Sequence, residues 1–185
     1  AIVGMAGGTV LLGAMTFVVP VFALVPIHGC VQLSSNLSRA VILKEHVRMD
    51  LFWYFLMGLP FGTFLSYMLL DSIKDERLLL ALIALVILWA LFKPKRFKSI
   101  QIPTWAFIIV GIVTGFISLL VGAVGPFLGA FFLRDDMNKE EVIASQAAAQ
   151  IVTHALKIPA FLFLGFRYQD HLWTIGIMSL ATVFG

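Results

Sequence analysis

Apolar runs broken by short charged clusters set the pattern of this chain. Uncharged stretches cover residues 1–27, 51–70, 78–92, 102–133, 142–156 and 172–185. A bilayer core about 30 Å thick needs roughly 20 apolar helical residues rising about 1.5 Å each, so several of these stretches are long enough to span it. The pattern predicts an all-α, polytopic membrane helix bundle. A β-barrel would alternate polarity over segments of about ten residues. A soluble core would have no need of 32 consecutive uncharged positions at 102–133. The chain opens and stops inside apolar runs, without a charged leader or a small-residue cleavage site, and so reads as a fragment of a longer protein.

The charged clusters then act as punctuation. KEHVRMD (44–50), DSIKDER (71–77), KPKRFK (93–98), RDDMNKEE (134–141) and RYQD (167–170) hold every Asp and Glu and all but two of the 13 Lys and Arg. KPKRFK carries four cations and no acid. The positive-inside tendency therefore places it in the cytoplasm, with KEHVRMD beside it and DSIKDER outside. RDDMNKEE is external if 102–133 makes one net crossing. The pI near 9.2 comes from cations lying between spans, so nucleic acid is not an expected partner.

Segment 102–133 has an awkward length. As one helix it would extend about 48 Å, too long for one crossing and too short for two. Gly111, Gly115, Gly122, Gly125, Pro126 and Gly129 offer places to break it, and residues 1–27 carry a similar set in Gly4, Gly7, Gly8, Gly13 and Pro20. Broken helices can turn free backbone N–H groups toward an anion near the midplane, which makes Gly4, Gly7, Gly122 and Gly125 candidate backbone anion contacts. The competing reading is close helix packing, as the spacings Gly58/Gly62 and Gly111/Gly115 suggest.

An offset of 118 residues exposes an internal repeat. Val3, Gly4 and Gly7 then fall on Val121, Gly122 and Gly125; Gln32 meets Gln150, Ser35 meets Thr153, Asn36 meets His154, Arg39 meets Lys157, and Gly58 meets Gly176. We read one transmembrane domain, 1–185, made of repeat 1 at about 1–102 and a truncated repeat 2 at about 103–185. If each glycine-rich element crosses the bilayer, the halves share an orientation; if each is re-entrant, they are inverted.

Within each copy the polar residues share one helix face. Gln32, Ser35, Asn36 and Arg39 are spaced i, i+3, i+4, i+7, as are Gln150, Thr153, His154 and Lys157, while His28 and Gln146 extend the stripes by one turn. Such stripes cannot face hydrocarbon, where an unsatisfied polar group costs several kcal/mol. Arg39 and Lys157 are the two cations outside every charged cluster, and no acid within a span is available to pair with them. One reading has them snorkel to the interface; the other has them face a cavity and a transient anion. On the second reading Arg39 and Lys157 hold the anion, and Ser35, Asn36, Thr153, Gln32 and Gln150 orient it by hydrogen bonds. His154 is then placed to shuttle a coupled proton or to stand as a neutral hydrogen-bonded group.

The chain resembles the TauE/SafE-type sulfite exporters, a group of membrane permeases. The resemblance rests on VGMAGG (3–8), GFISLLVGAVG (115–125), SSNLSRAVILKEHVRMD (34–50) and ASQAAAQIVTHALKIPAFLFLGF (144–166). Ala6 and Pro126 stand where the family motif commonly carries glycine. The resemblance implies an approximately eight-segment, two-repeat transporter of the inner cell membrane that exports sulfite, sulfoacetate and related anions. The partners expected are a small anionic substrate and the lipid bilayer, with proton coupling and a homo-oligomer compatible with the pattern. No cofactor or metal is expected. An enzyme is disfavoured because HExxH and GxSxG motifs are missing and His28, His46, His154 and His171 lack acidic or cysteine companions at ligand spacing. Cys30 near His28 is a feeble nucleophile signal. A structural membrane subunit, with the stripes zipping the repeats together, is the remaining class.

Overall fold

The computed structural model describes residues 2–73, 75–92 and 101–184. Among them are eight α-helices and no strand: α1 (Ile2–Met15), α2 (Val21–Ile42), α3 (Met49–Ser72), α4 (Glu76–Phe92), α5 (Phe107–Val121), α6 (Gly125–Phe132), α7 (Lys139–Phe163) and α8 (Leu172–Phe184). The all-α expectation holds. Met49–Leu70, with mean hydropathy 1.3, and Thr104–Val121, with 2.3, are long and apolar enough to cross a membrane. At 22 and 25 residues, α2 and α7 are as long, but each spends one face on the polar stripe. Trp53, Met57, Phe61, Phe64 and Met68 form an exposed apolar face on α3 that suits hydrocarbon.

Glycine plays two different roles here. Between α3 and α5 it removes bulk: a Cβ on Gly58 or Gly62 would collide with the backbone of Ile108 or Ile112, and one on Gly111 or Gly115 with that of Phe55 or Leu59. The packing reading is therefore right for these four positions, and the two helices run parallel in backbone contact. At Gly122 glycine supplies a backbone angle instead. Its φ of +88° lies in the left-handed region, where a Cβ is strained, and it ends α5. Three residues later α6 begins, with Pro126 in its first turn, where a missing N–H costs nothing.

The two ends of 102–133 come back together. Arg134 donates from Nη1 to the Ile102 carbonyl at 2.7 Å, and Arg48 Nη1 lies 3.6 Å from Asp136 Oδ2. RDDMNKEE and KEHVRMD thus sit at the same end of the bundle. Gly122 ends α5, and the chain after it brings Arg134 back to Ile102, at the start of the same segment. KPKRFK, on which the orientation rested, lies outside the described residues.

Helix α7 starts on a capping box, in which Asn138 Oδ1 accepts from the Glu141 N–H and Glu141 Oε2 accepts from the Asn138 N–H, both at 2.8 Å. It runs antiparallel to α2. Ser145 Oγ accepts from the Arg48 N–H at 2.8 Å, Asn36 meets Gln150, and Gly29 packs on the Lys157 stem.

The ion pairs of the loop cluster at this end predict an acid response. Hydrogen bonding to Arg134, then the charges of Arg134 and Arg48, hold the Asp136 carboxyl below its ordinary value, with some opposition from desolvation. A carboxyl with a depressed folded value contributes stability above its unfolded value, near pH 4, and loses it as pH falls through the folded value. Thermal unfolding in detergent is expected to show an acid limb below about pH 4 that Asp136→Asn flattens. An unchanged limb in that variant would remove Asp136 from the account.

Candidate functional site

The polar stripes of α2 and α7 meet face to face. His28, Gln32, Ser35 and Asn36 of α2 and Gln146, Gln150, Thr153, His154 and Lys157 of α7 are all buried, while Arg39 is partly exposed at the end of its stripe. Asn36 Nδ2 donates to the Gln32 carbonyl at 2.8 Å and to Gln150 Oε1 at 3.4 Å. The His28 and His154 rings meet edge to face, with centroids 6.0 Å apart. Two further contacts tie the stripes to the glycine-rich elements: His28 Nε2 lies 2.8 Å from the Gly8 carbonyl of α1, and Gln146 Nε2 donates to the Gly125 carbonyl of α6 at 2.9 Å.

A cavity of about 10 Å³ opens where these elements converge. That is room for about one water molecule. Its polar side chains are Thr9, His28, Gln32, Arg39, Gln150 and His154, and its remaining wall is Gly8 and residues 123–125 of the α5–α6 corner. Thr9 Oγ1, His28 Nδ1 and His154 Nδ1 are buried without a hydrogen-bond partner, as is Asn36 Oδ1 in the adjoining seam. Buried polar atoms are nearly always paired, and a bound water or a polar ligand group at this cavity would supply the missing partners.

The sequence-derived site residues divide into three groups. Arg39, Gln32, Gln150, His154 and Gly125 line the cavity. Ser35, Asn36 and Thr153 lie in the buried α2–α7 seam, where the Thr153 hydroxyl donates to the Ala149 carbonyl of its own helix at 2.7 Å. Lys157, Gly7 and Gly122 are not part of the cavity wall. The Lys157 ammonium, wholly buried, donates to the Gly122 carbonyl at 2.6 Å, at the point where α5 stops. Gly7 is exposed, with open space around it, and the surroundings of Gly4 lie outside the described residues.

Gly8, Thr9 and His28 line the cavity without having been singled out as site residues. The signal for His28 was present in its spacing, four residues before Gln32 on the same stripe. Thr9 was one of two hydroxyls, with Thr16, in an otherwise apolar run.

A family model described as sulfite exporter TauE/SafE matches residues 1–185. The chain belongs to the TauE/SafE family. Comparison with curated proteins and with solved structures gave no match. Membership of TauE/SafE, a family of membrane transport permeases, agrees with the helical architecture and the apolar outer faces. The cavity between α2 and α7 thus lies inside a permease of the TauE/SafE family.

Proposed function

We propose that this TauE/SafE protein is a multi-pass secondary transporter of the inner cell membrane, exporting small sulfur-containing anions such as sulfite, sulfoacetate or other organosulfonates. Other small carboxylate or inorganic anions form the alternative substrate class. The observation that carries the reading is the cavity itself, where Arg39 lines a space shared with three buried polar atoms that have no protein partner. Arginine brings a permanent charge and up to five donors to an oxyanion. The amino end of α6, which no side chain caps, adds backbone N–H groups and the positive end of a helix dipole at the same wall.

The architecture suits alternating access. Two inverted repeats, about 1–102 and 103–185, with the α5–α6 pair as a re-entrant element, account for the antiparallel α2 and α7 and for the return of Arg134 to Ile102. The equivalent positions His28 and Gln146 each reach a carbonyl of a glycine-rich element, Gly8 and Gly125. The cavity then lies between the halves, where rocking of one against the other would open it to alternate sides.

The test is side-chain accessibility. In a Cys30→Ser background, cysteine at Gln32 or Gln150 is expected to react with a small charged maleimide, and sulfoacetate is expected to slow that reaction. Cysteine at Thr153, a buried position that is not on the cavity wall and whose hydroxyl donates to its own helix, should stay unreactive. Uniform protection at all three positions, unaffected by sulfoacetate, would refute the transport chamber and favour a structural subunit.

A further inference from the structure

A second opening lies along the same helix as the chamber. At the end of the bundle that carries RDDMNKEE, a cleft of about 210 Å³ runs between α7 and the segment that follows α6. Lys139, Val142, Ile143 and Gln146 line it from α7, at spacings of three and four residues that put them on one face. Two cations, Arg134 and Lys139, stand among the lining residues, and no acid does. Lys139 is exposed and Gln146 is buried, so the cleft leads inward along α7 for about two turns.

Gln146 touches both spaces. It lines the cleft, and its Nε2 donates at 2.9 Å to the carbonyl of Gly125, which forms part of the chamber wall. One turn further along α7, about 6 Å, Gln150 lines the chamber itself. The chamber, at about 10 Å³, is closed to anything larger than a water, whereas the cleft has room for a small anion. An amide suits a residue between them. Its bond to Gly125 is neutral and exchangeable, because an anion arriving along the cleft offers Nε2 an oxygen acceptor in place of the carbonyl. Exchanging one acceptor for another is nearly neutral, while the bond left in place favours the closed arrangement. The offset of 118 residues sets His28 against Gln146, and His28 reaches a carbonyl of the same chamber wall, that of Gly8.

We propose that Gln146 is the gate between the cleft and the chamber, holding the wall at Gly125 closed until an anion replaces the carbonyl as its acceptor. The proposal deepens the anion-transport reading and rests on it.

Side-specific labelling tests the gate. In membrane vesicles of each orientation carrying the full-length Cys30→Ser protein, a membrane-impermeant charged maleimide identifies the side of the cleft mouth by its reaction with Lys139→Cys. Gln150→Cys then reports on the chamber. Adding Gln146→Ala is expected to speed labelling of Gln150→Cys from the Lys139 side about three- to tenfold, the scale of one net hydrogen bond, with no increase from the opposite side. Gln146→Asn keeps the amide but is one methylene too short for the Gly125 carbonyl; it should do the same, and decides the question if Gln146→Ala fails to fold. Equal acceleration from both sides would show that Gln146 braces the bundle rather than gating it, and would overturn the proposal. So would unchanged labelling in both variants, with the chamber left standing. Failure of Gln150→Cys to react from either side in every protein would remove the chamber itself, and the gate with it.

Discussion

Leucine in place of Gly62 or Gly111 is expected to eliminate the folded protein. A Cβ at Gly62 would overlap the Ile112 carbonyl of α5, and one at Gly111 would overlap the Phe55 carbonyl of α3. Both obstacles are backbone, so no rotamer change relieves them. The helices would have to separate, losing close packing along the whole α3–α5 contact, and packing rather than the hydrophobic effect drives helix association in lipid. The cost should exceed about 4 kcal/mol, the rare upper end for a single substitution. Alanine at Gly176, where nothing lies within 4 Å, should by contrast stay within about 1 kcal/mol of the native protein. Size-exclusion profiles and melting temperatures in detergent separate the outcomes. A monodisperse Gly62→Leu protein with a native melting point would show that α3 and α5 do not approach this closely.

The same glycines mark the boundary of what was legible in the sequence. Residue type and four-residue spacing were enough to find Gly58, Gly62, Gly111 and Gly115 as a packing seam, because small-xxx-small spacing puts all members of a set on one face. Nothing local separated Gly122 from them. Its distinguishing feature is a positive φ, which follows from where α5 must stop against α1 and α2, a tertiary fact. The polar stripes were legible for a similar reason. Helical periodicity fixes which residues share a face, and burial of both faces leaves each stripe little choice but the other. Periodicity does not fix depth along the axis. It grouped Lys157 with Arg39, yet Lys157 reaches the broken end of α5 while Arg39 reaches the cavity. The awkward length of 102–133 hinted at a break, but the approach of Arg134 to Ile102 is a tertiary contact that no local pattern gives.

That difference in depth predicts different consequences for the two cations. Arg39→Gln keeps a polar side chain of moderate length but removes the charge that lines the cavity. Sulfoacetate affinity is expected to fall by about 1.5–3 kcal/mol, the range for a hydrogen bond to a charged group, or roughly 10- to 150-fold in Kd. Stability should change little, because Arg39 is the partly exposed end of its stripe. Lys157→Met should act in the other order. The Gly122 carbonyl would lose its ammonium partner in a fully buried position, destabilising the α5–α6 corner by about 1–3 kcal/mol, the cost of leaving a buried acceptor unpaired. Any loss of affinity would follow from movement of residues 123–125, so it should shrink when the corner is stabilised by low temperature. Calorimetric Kd and the melting temperature, measured for both variants, distinguish a residue that meets the anion from one that braces the wall. Native affinity in Arg39→Gln would exclude Arg39 from the anion site, and with it the reason for placing the ligand between α2 and α7.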